Sequence, residues 1–259
     1  MIRVGIGGWT FAPWRGPFYP KGLPAARELE HASRKVTAIE INGTFYRTQS
    51  PESFRKWKAE TPDGFVFAVK GHRFVTNRKV LAEAGPAVET FLGSGILELG
   101  DKLGPLNWQL APTKRFDPDD VDAFLALLPP ERDGRPLHHA LEVRHESFRD
   151  PAFVEIARRH KVAIVFAEAD DYPAIPDLTG PVVYARLQRC REAEANGYPD
   201  GELDLWAGRA KAWEAGGAAA DLPGIATQAD GRTRDVFLFF IAGDKVRAPL
   251  AAQALLKRL

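Results

Sequence analysis

The sequence predicts an α/β fold, a TIM-type (β/α) barrel, and three observations carry that prediction. Short β-branched or aliphatic runs recur along the chain, each is followed by a segment with helical periodicity, and there are eight of them in 259 residues. Near-continuous apolar strands that alternate with helices belong to a parallel sheet buried on both faces, and eight such units in about 250 residues is the size of a TIM barrel. A doubly wound open sheet is the competing arrangement. No linker and no repeat beyond the alternation divides the chain, so residues 1–259 are expected to form a single barrel domain.

In order, the apolar runs fall at residues 4–7, 38–41, 65–69, 106–110, 140–143, 163–166, 182–187 and 236–241. Helical periodicity places covering helices at 51–59, where Pro51 is set to start the first turn, and at 80–92, 118–128, 151–160, 202–214 and 250–256. Between the sixth and seventh runs, Asp170 through Asp177 contains two prolines and no periodic stretch. A missing or vestigial helix is expected there. Residues 216–234 are polar and glycine-rich with little to bury, which predicts a surface loop.

Composition narrows the function classes. With 35 Lys+Arg against 34 Asp+Glu the formal charge is +1, and the signs are interspersed. Binding to nucleic acid through a bulk basic excess is therefore not favoured. Cys190 is the single cysteine and leaves no intrachain disulfide. Arg189 and Arg191 beside it would favour a thiolate, but without a partner histidine it reads as incidental. The start of the chain runs into a strand pattern with no apolar signal core, and no stretch approaches the roughly 20 apolar residues of a membrane span. A cytoplasmic protein without a membrane partner is expected, and Asn42-Gly43-Thr44 is discounted as a glycosylation site.

In a barrel of this type the chemistry sits at the carboxyl ends of the strands. The first strand ends at Gly7-Gly8-Trp9, the second carries Glu40 and Asn42 and leads to Tyr46, and the third ends at Lys70-Gly71-His72. Gln109 follows the fourth; Glu142, Arg144 and His145 close the fifth; Glu168 and Asp170 follow the sixth; Arg186 closes the seventh; and Lys245 follows the eighth. Charges inside apolar strands must pair or face a cavity. They form either a buried ion-pair lattice or a site, and their presence at several strand ends favours a site. His72 and His145 are the candidates for acid–base work, while His31, His138, His139 and His160 are expected to be solvated. The aromatic residues Trp9, Phe11, Trp14, Phe18, Tyr19, Phe45, Tyr46 and Phe148 either wall a pocket or plug the barrel top. No nucleophile elbow, P-loop or His-Glu-x-x-His helix occurs.

Several motifs resemble the YecE-like family, domain of unknown function 72. They are Gly7-Gly8-Trp9, Trp14-Arg15-Gly16-Pro17-Phe18-Tyr19-Pro20, Glu40-Ile41-Asn42-Gly43-Thr44-Phe45-Tyr46-Arg47, Leu141-Glu142-Val143-Arg144-His145-Glu146-Ser147-Phe148 and Tyr184-Ala185-Arg186-Leu187. The resemblance spans essentially the whole chain and implies a TIM-type barrel without a settled reaction. Two departures stand out: Ile241-Ala242-Gly243-Asp244-Lys245 where relatives tend to have Ile-Asn-Gly-Ala-Lys, and Gln188-Arg189 where they tend to have His-Gly.

Together these observations predict an enzyme that acts on a small anionic metabolite, phosphorylated or carboxylated. Glu40, Glu142, His145 and His72 are the expected acid–base groups, and Trp9, Asn42, Tyr46, Lys70, Gln109, Arg144 and Arg186 the substrate-binding groups. No cofactor is expected: a divalent metal on Glu40, His72, Glu142, His145, Glu168 or Asp170 would be opposed by Lys70, Arg144 and Arg186. The alternatives are a metal-dependent phosphodiesterase acting on nucleic acid, and a non-catalytic barrel that binds nucleic acid or protein.

Overall fold

Eight parallel strands close on themselves in the computed structural model, which describes residues 1–226 and 230–259. In chain order the elements begin with β1 (Ile2–Gly7), α1 (Glu28–Ala32), β2 (Ala38–Ile41), α2 (Pro51–Glu60), β3 (Val66–Lys70), α3 (Arg73–Thr76) and α4 (Gly85–Leu92). They continue with β4 (Leu103–Gln109), α5 (Pro118–Ala126), a small hairpin of β5 (Glu131–Arg132) and β6 (Arg135–Pro136), β7 (His139–Glu142) and α6 (Pro151–Arg159). The chain ends with β8 (Ala163–Glu168), β9 (Val182–Leu187), α7 (Asp200–Glu214), β10 (Asp235–Phe240) and α8 (Ala248–Leu256). Neighbours around the barrel are β1-β10-β9-β8-β7-β4-β3-β2, so the α/β TIM-type barrel read from the sequence is the fold.

Local chemistry starts the helices where the sequence places them. Ser50, Asp117 and Asp150 accept backbone N–H groups of Ser53, Asp120 and Ala152, and each is followed by a proline whose missing N–H is no loss in a first turn. The expected helix at 80–92 is broken into a 3-10 turn, Leu81–Glu83, and α4, because Gly85-Pro86 restarts the backbone at a new N-terminus. As expected, no helix joins β8 to β9. Ile175 is buried, Thr179 Oγ donates to Val162 O and accepts from Ile164 N, and Asp177 accepts from Ile225 N and Ala226 N, both at 2.8 Å. The segment 216–226 is thereby tied down and buries Ala219, more than its polar composition suggested; residues 227–229 of the expected loop lie outside the described residues.

The barrel interior explains how charged groups reach its mouth. Inward positions alternate with outward ones, so residues two apart share a face. Ala38, Ala68, Ala140 and Ala163 are small where Tyr184, Phe237 and Phe239 fill the lower interior. One step further along the same faces come Glu40, Lys70, Glu142 and Arg186, all buried. Gly5 belongs to the tight lower layer, pairing with Ala38 on one side and Phe239 on the other.

Two local expectations are corrected here. His139 is buried, not solvated: β7 begins at this residue, its ring stacks on Trp108, and its Nδ1 accepts from Trp108 Nε1 at 3.0 Å. Burial lowers its pKa to about 4. Cys190 is likewise buried, and that burial, with Glu168 and Asp244 nearby, pushes its thiol up to about 12 despite the flanking arginines. No helix among the described residues is long and apolar enough to cross a membrane.

Candidate active site

Four strands deliver an ionic cluster to the carboxyl end of the barrel. Arg186 on β9 lies at its centre: Nη1 donates to Glu142 Oε1 and Oε2 at 2.9 and 2.7 Å, and Nη2 donates to Glu40 Oε1 at 3.1 Å. Glu40 also accepts from the Tyr184 hydroxyl, and the Asn107 amide donates weakly to both carboxylates at 3.4 and 3.3 Å. Arg144 closes the other side, with Nε and Nη2 on Glu142 Oε1 at 2.9 and 2.8 Å and Nη2 on Gln109 Oε1 at 2.7 Å. Its guanidinium rests over the Tyr172 ring, 4.4 Å from the centroid.

Both carboxylates are ionised and enclosed. Burial opposes the charge on Glu142, but Arg186, then Arg144 and Lys70, overcome it and hold the pKa down at about 2. Glu40 is also lowered, burial again being outweighed by Arg186, Lys70 and the Tyr184 hydroxyl. A general acid near neutrality needs a raised carboxyl, and these two are lowered. What they do in this arrangement is fix two guanidiniums.

Lys70 differs from every other cation in the cluster. It is 7% exposed, its ammonium lies 4.4 Å from the Phe45 ring centroid, and no carboxylate oxygen among the described residues lies within 4.0 Å of it. Burial, and then the like charge of Arg186, bring its pKa down to about 8 against the pull of Glu40 and Glu142. The folded value lies below the ordinary 10.5, so between about 8 and 10.5 the unfolded chain holds the extra proton and stability rises with pH. In chemical denaturation the wild type is expected to gain unfolding free energy relative to Lys70→Met across that window. A difference that stays flat or falls contradicts a desolvated Lys70.

Beside the cluster a cleft of about 290 Å³ is lined by Gly8, Trp9, Asn42, Gln49 and Lys245, among others. Asn42 Nδ2 donates to the Glu40 carbonyl at 3.4 Å, which joins the cleft to the cluster through one backbone. The Lys245 ammonium lies over the Phe11 and Trp14 rings at 4.7 and 5.5 Å and has no carboxylate within 4.0 Å among the described residues. Burial lowers its pKa too. The structure thus brings Glu40, Lys70, Gln109, Glu142, Arg144 and Arg186 together and sets Trp9 and Asn42 next to them.

The remaining candidates lie apart from these hydrogen bonds. His72 caps α3, its Nδ1 accepting from Phe74 N, and burial lowers its pKa. His145 Nδ1 accepts from Ser147 N at 3.1 Å and sits 2.9 Å from Ser147 Oγ. Tyr46 points to solvent, 66% exposed. Among the aromatic set, Trp14, Phe18 and Tyr19 are buried against one another and Phe148 against Phe116 and Phe153, while Trp9 borders the cleft. No group of three or more His, Cys, Asp and Glu side chains that could hold a metal ion occurs among the described residues, so the carboxylates and imidazoles named as potential ligands are not assembled. Tyr184, Asn107 and Lys245 complete the site, and sequence reasoning did not pick them out as binding groups. Tyr184 was detectable, since it stands two residues before Arg186 on the same inward face.

The family profile described as "Protein of unknown function DUF72" matches residues 3–259. The chain belongs to the DUF72 family. UPF0759 protein YecE of Escherichia coli K12 is 28% identical over 151 residues, which cover 57% of this chain and 50% of YecE. UPF0759 protein YunF of Bacillus subtilis is 29% identical over 79 residues, 30% of this chain and 27% of YunF. The chain thus spans half or less of the length of these curated relatives in the matched stretches. Among solved structures, a DUF72 family protein from Thermotoga maritima superposes with a TM-score of 0.72 at 24% identity, covering 99% of this chain and 98% of that one. A DUF72 family protein from Enterococcus faecalis gives 0.68 at 17% identity, covering 100% and 94%. These two likenesses bear on the fold, and both agree with the closed DUF72 barrel described above.

Proposed function

We propose that this DUF72 barrel is an enzyme that binds a small anionic metabolite, phosphorylated or carboxylated, at its carboxyl face. One observation carries the reading: Glu40 and Glu142 are committed to Arg186 and Arg144, which leaves Lys70 as an uncompensated cation. Two carboxylates against two guanidiniums and one ammonium sum to +1, and a buried unbalanced charge is costly until an anion completes it. Lys245 adds, at the adjoining cleft, a second ammonium with no carboxylate within 4.0 Å among the described residues.

The same group supplies the proton chemistry. At about 8, the Lys70 pKa keeps a minor but useful neutral fraction near neutrality, so the amine can take a proton from bound substrate and return it. His145, whose Nδ1 accepts from the Ser147 backbone, follows β7 at the same end of the barrel and is the second candidate for proton transfer. Glu40 and Glu142 orient the arginines, and Trp9 and Asn42 shape the cleft. Hydrolysis, isomerisation and elimination all use such a pair.

A thermal-shift screen against phosphorylated and carboxylated small molecules tests this reading. At least one such anion is expected to raise the melting temperature of the wild type, as any ligand selective for the folded state must, and to do so much less for Lys70→Met. Equal shifts in both proteins, or no shift with any anion, contradict it.

A further inference from the structure

Away from the ionic cluster, two loops form a surface whose chemistry the small-anion reading does not use. Residues 43–50 and 71–82 contain Arg47, Arg73, Arg78 and Lys79 and no acidic residue. None of these four cations has a carboxylate within 4.0 Å among the described residues, although ion pairs are common elsewhere on this surface. The signs are interspersed over the chain as a whole and segregated here. Apolar exposure concentrates on the same loops: Tyr46 is 66% and Phe74 64% exposed, and Val80 lies beside them. Exposed aromatic groups of this size on one patch mark an interaction site more often than a solvated surface.

The two aromatics are held in place. The Phe74 ring packs edge-on against His72 with centroids 4.7 Å apart, and the Tyr46 backbone borders the His72 ring. Arg78 Nε donates to the Phe74 backbone carbonyl at 2.6 Å, and the Arg73 guanidinium lies 5.7 Å from the Phe74 ring centroid. Between the 71–82 loop and α4 is a cleft of about 450 Å³ lined by Thr48, His72, Phe74, Arg78, Pro86 and Phe91, among others. On its inner side Tyr46 meets Phe45, the residue over which Lys70 sits, so the surface runs to the barrel mouth.

We propose that this Tyr46–Phe74 surface is a docking site for single-stranded nucleic acid. Unpaired arginines and lysine suit a phosphate backbone, and exposed rings suit the faces of unpaired bases. A duplex hides those faces, and an acidic peptide has none to offer. The site stands independently of the small-anion reading, because none of these side chains takes part in the buried ionic cluster.

Fluorescence anisotropy of the full chain with labelled oligo(dT) and oligo(rU) tests it, with duplex DNA and inorganic polyphosphate as competitors. One or both single strands are expected to bind, with an affinity that falls as salt rises. Tyr46→Ala with Phe74→Ala is expected to weaken binding at least about tenfold at an unchanged melting temperature. Arg47→Gln with Arg73→Gln should reduce the slope of log affinity against log salt by about one to two. Preference for one of the two strands names the source as DNA or RNA. Absence of binding, wild-type affinity in the aromatic double variant, or competition by duplex or polyphosphate as strong as by unlabelled single strand overturns the proposal.

Discussion

Arg186→Met is expected to lose about 3–5 kcal/mol of unfolding free energy, a large part of the roughly 5–15 kcal/mol that holds a typical domain folded. The loss comes from charge left behind rather than from volume, since methionine fills most of the space. Glu142 keeps Arg144 at 2.8 Å, but Glu40 keeps as hydrogen-bond donors only the Tyr184 hydroxyl and the weak Asn107 amide, with the Lys70 ammonium beyond 4.0 Å of its fully buried carboxylate. A rescue is therefore expected as well: adding Glu40→Gln to Arg186→Met should recover more than half of the loss in urea unfolding. If the double variant is as unstable as the single one or worse, packing around Arg186 matters more than its charge, and the ionic reading of the barrel mouth is wrong.

Gly5→Ala is the second large effect, expected to cost about 3 kcal/mol or more, at the upper end for overpacking. A Cβ at Gly5 would lie 2.1 Å from the Ala38 carbonyl oxygen and 3.0 Å from the Phe239 ring. The nearest obstacle is backbone of the neighbouring strand, so no rotamer change relieves it; β1 and β2 must separate. Gly208 on α7 is the matching control, an exposed helical site where an added Cβ would meet nothing within 4 Å. Gly208→Ala is expected to be neutral or to stabilise by up to about 1 kcal/mol. Thermal melts of the two variants check the pair, and a Gly5→Ala protein that melts with the wild type contradicts the close strand contact.

The barrel was legible because its strands are apolar runs bounded by turns, a pattern set by burial on both faces, and all eight runs overlap the observed strands. The cluster was legible for the opposite reason: Glu40, Lys70, Glu142 and Arg186 interrupt that pattern, and burial makes each interruption conspicuous. Less visible were groups whose role depends on partners. Asn107 and Tyr184 pass for ordinary strand residues until the barrel closes and sets them against Glu40. Lys245 sits in a loop, and only the pairing of β10 with β1 carries it to the cleft of Trp9 and Asn42. The arginine partners of the two glutamates were not legible in the sequence, because charge type alone does not tell a free carboxylate from one fixed by a guanidinium. The break at Gly85-Pro86 shows the limit of periodicity, which counts apolar spacing and not backbone restarts.

The most direct test of the central claim, that Lys70 is the uncompensated cation of an anion site, is calorimetric. The affinity of the best-stabilising small anion is measured on either side of about 8, in the wild type and in Lys70→Met. Lys70 is charged below its pKa and neutral above it, so wild-type affinity is expected to fall as pH rises through and beyond that value, whereas Lys70→Met should bind weakly with little dependence on pH. Equal affinity and equal pH dependence in the two proteins would contradict the claim.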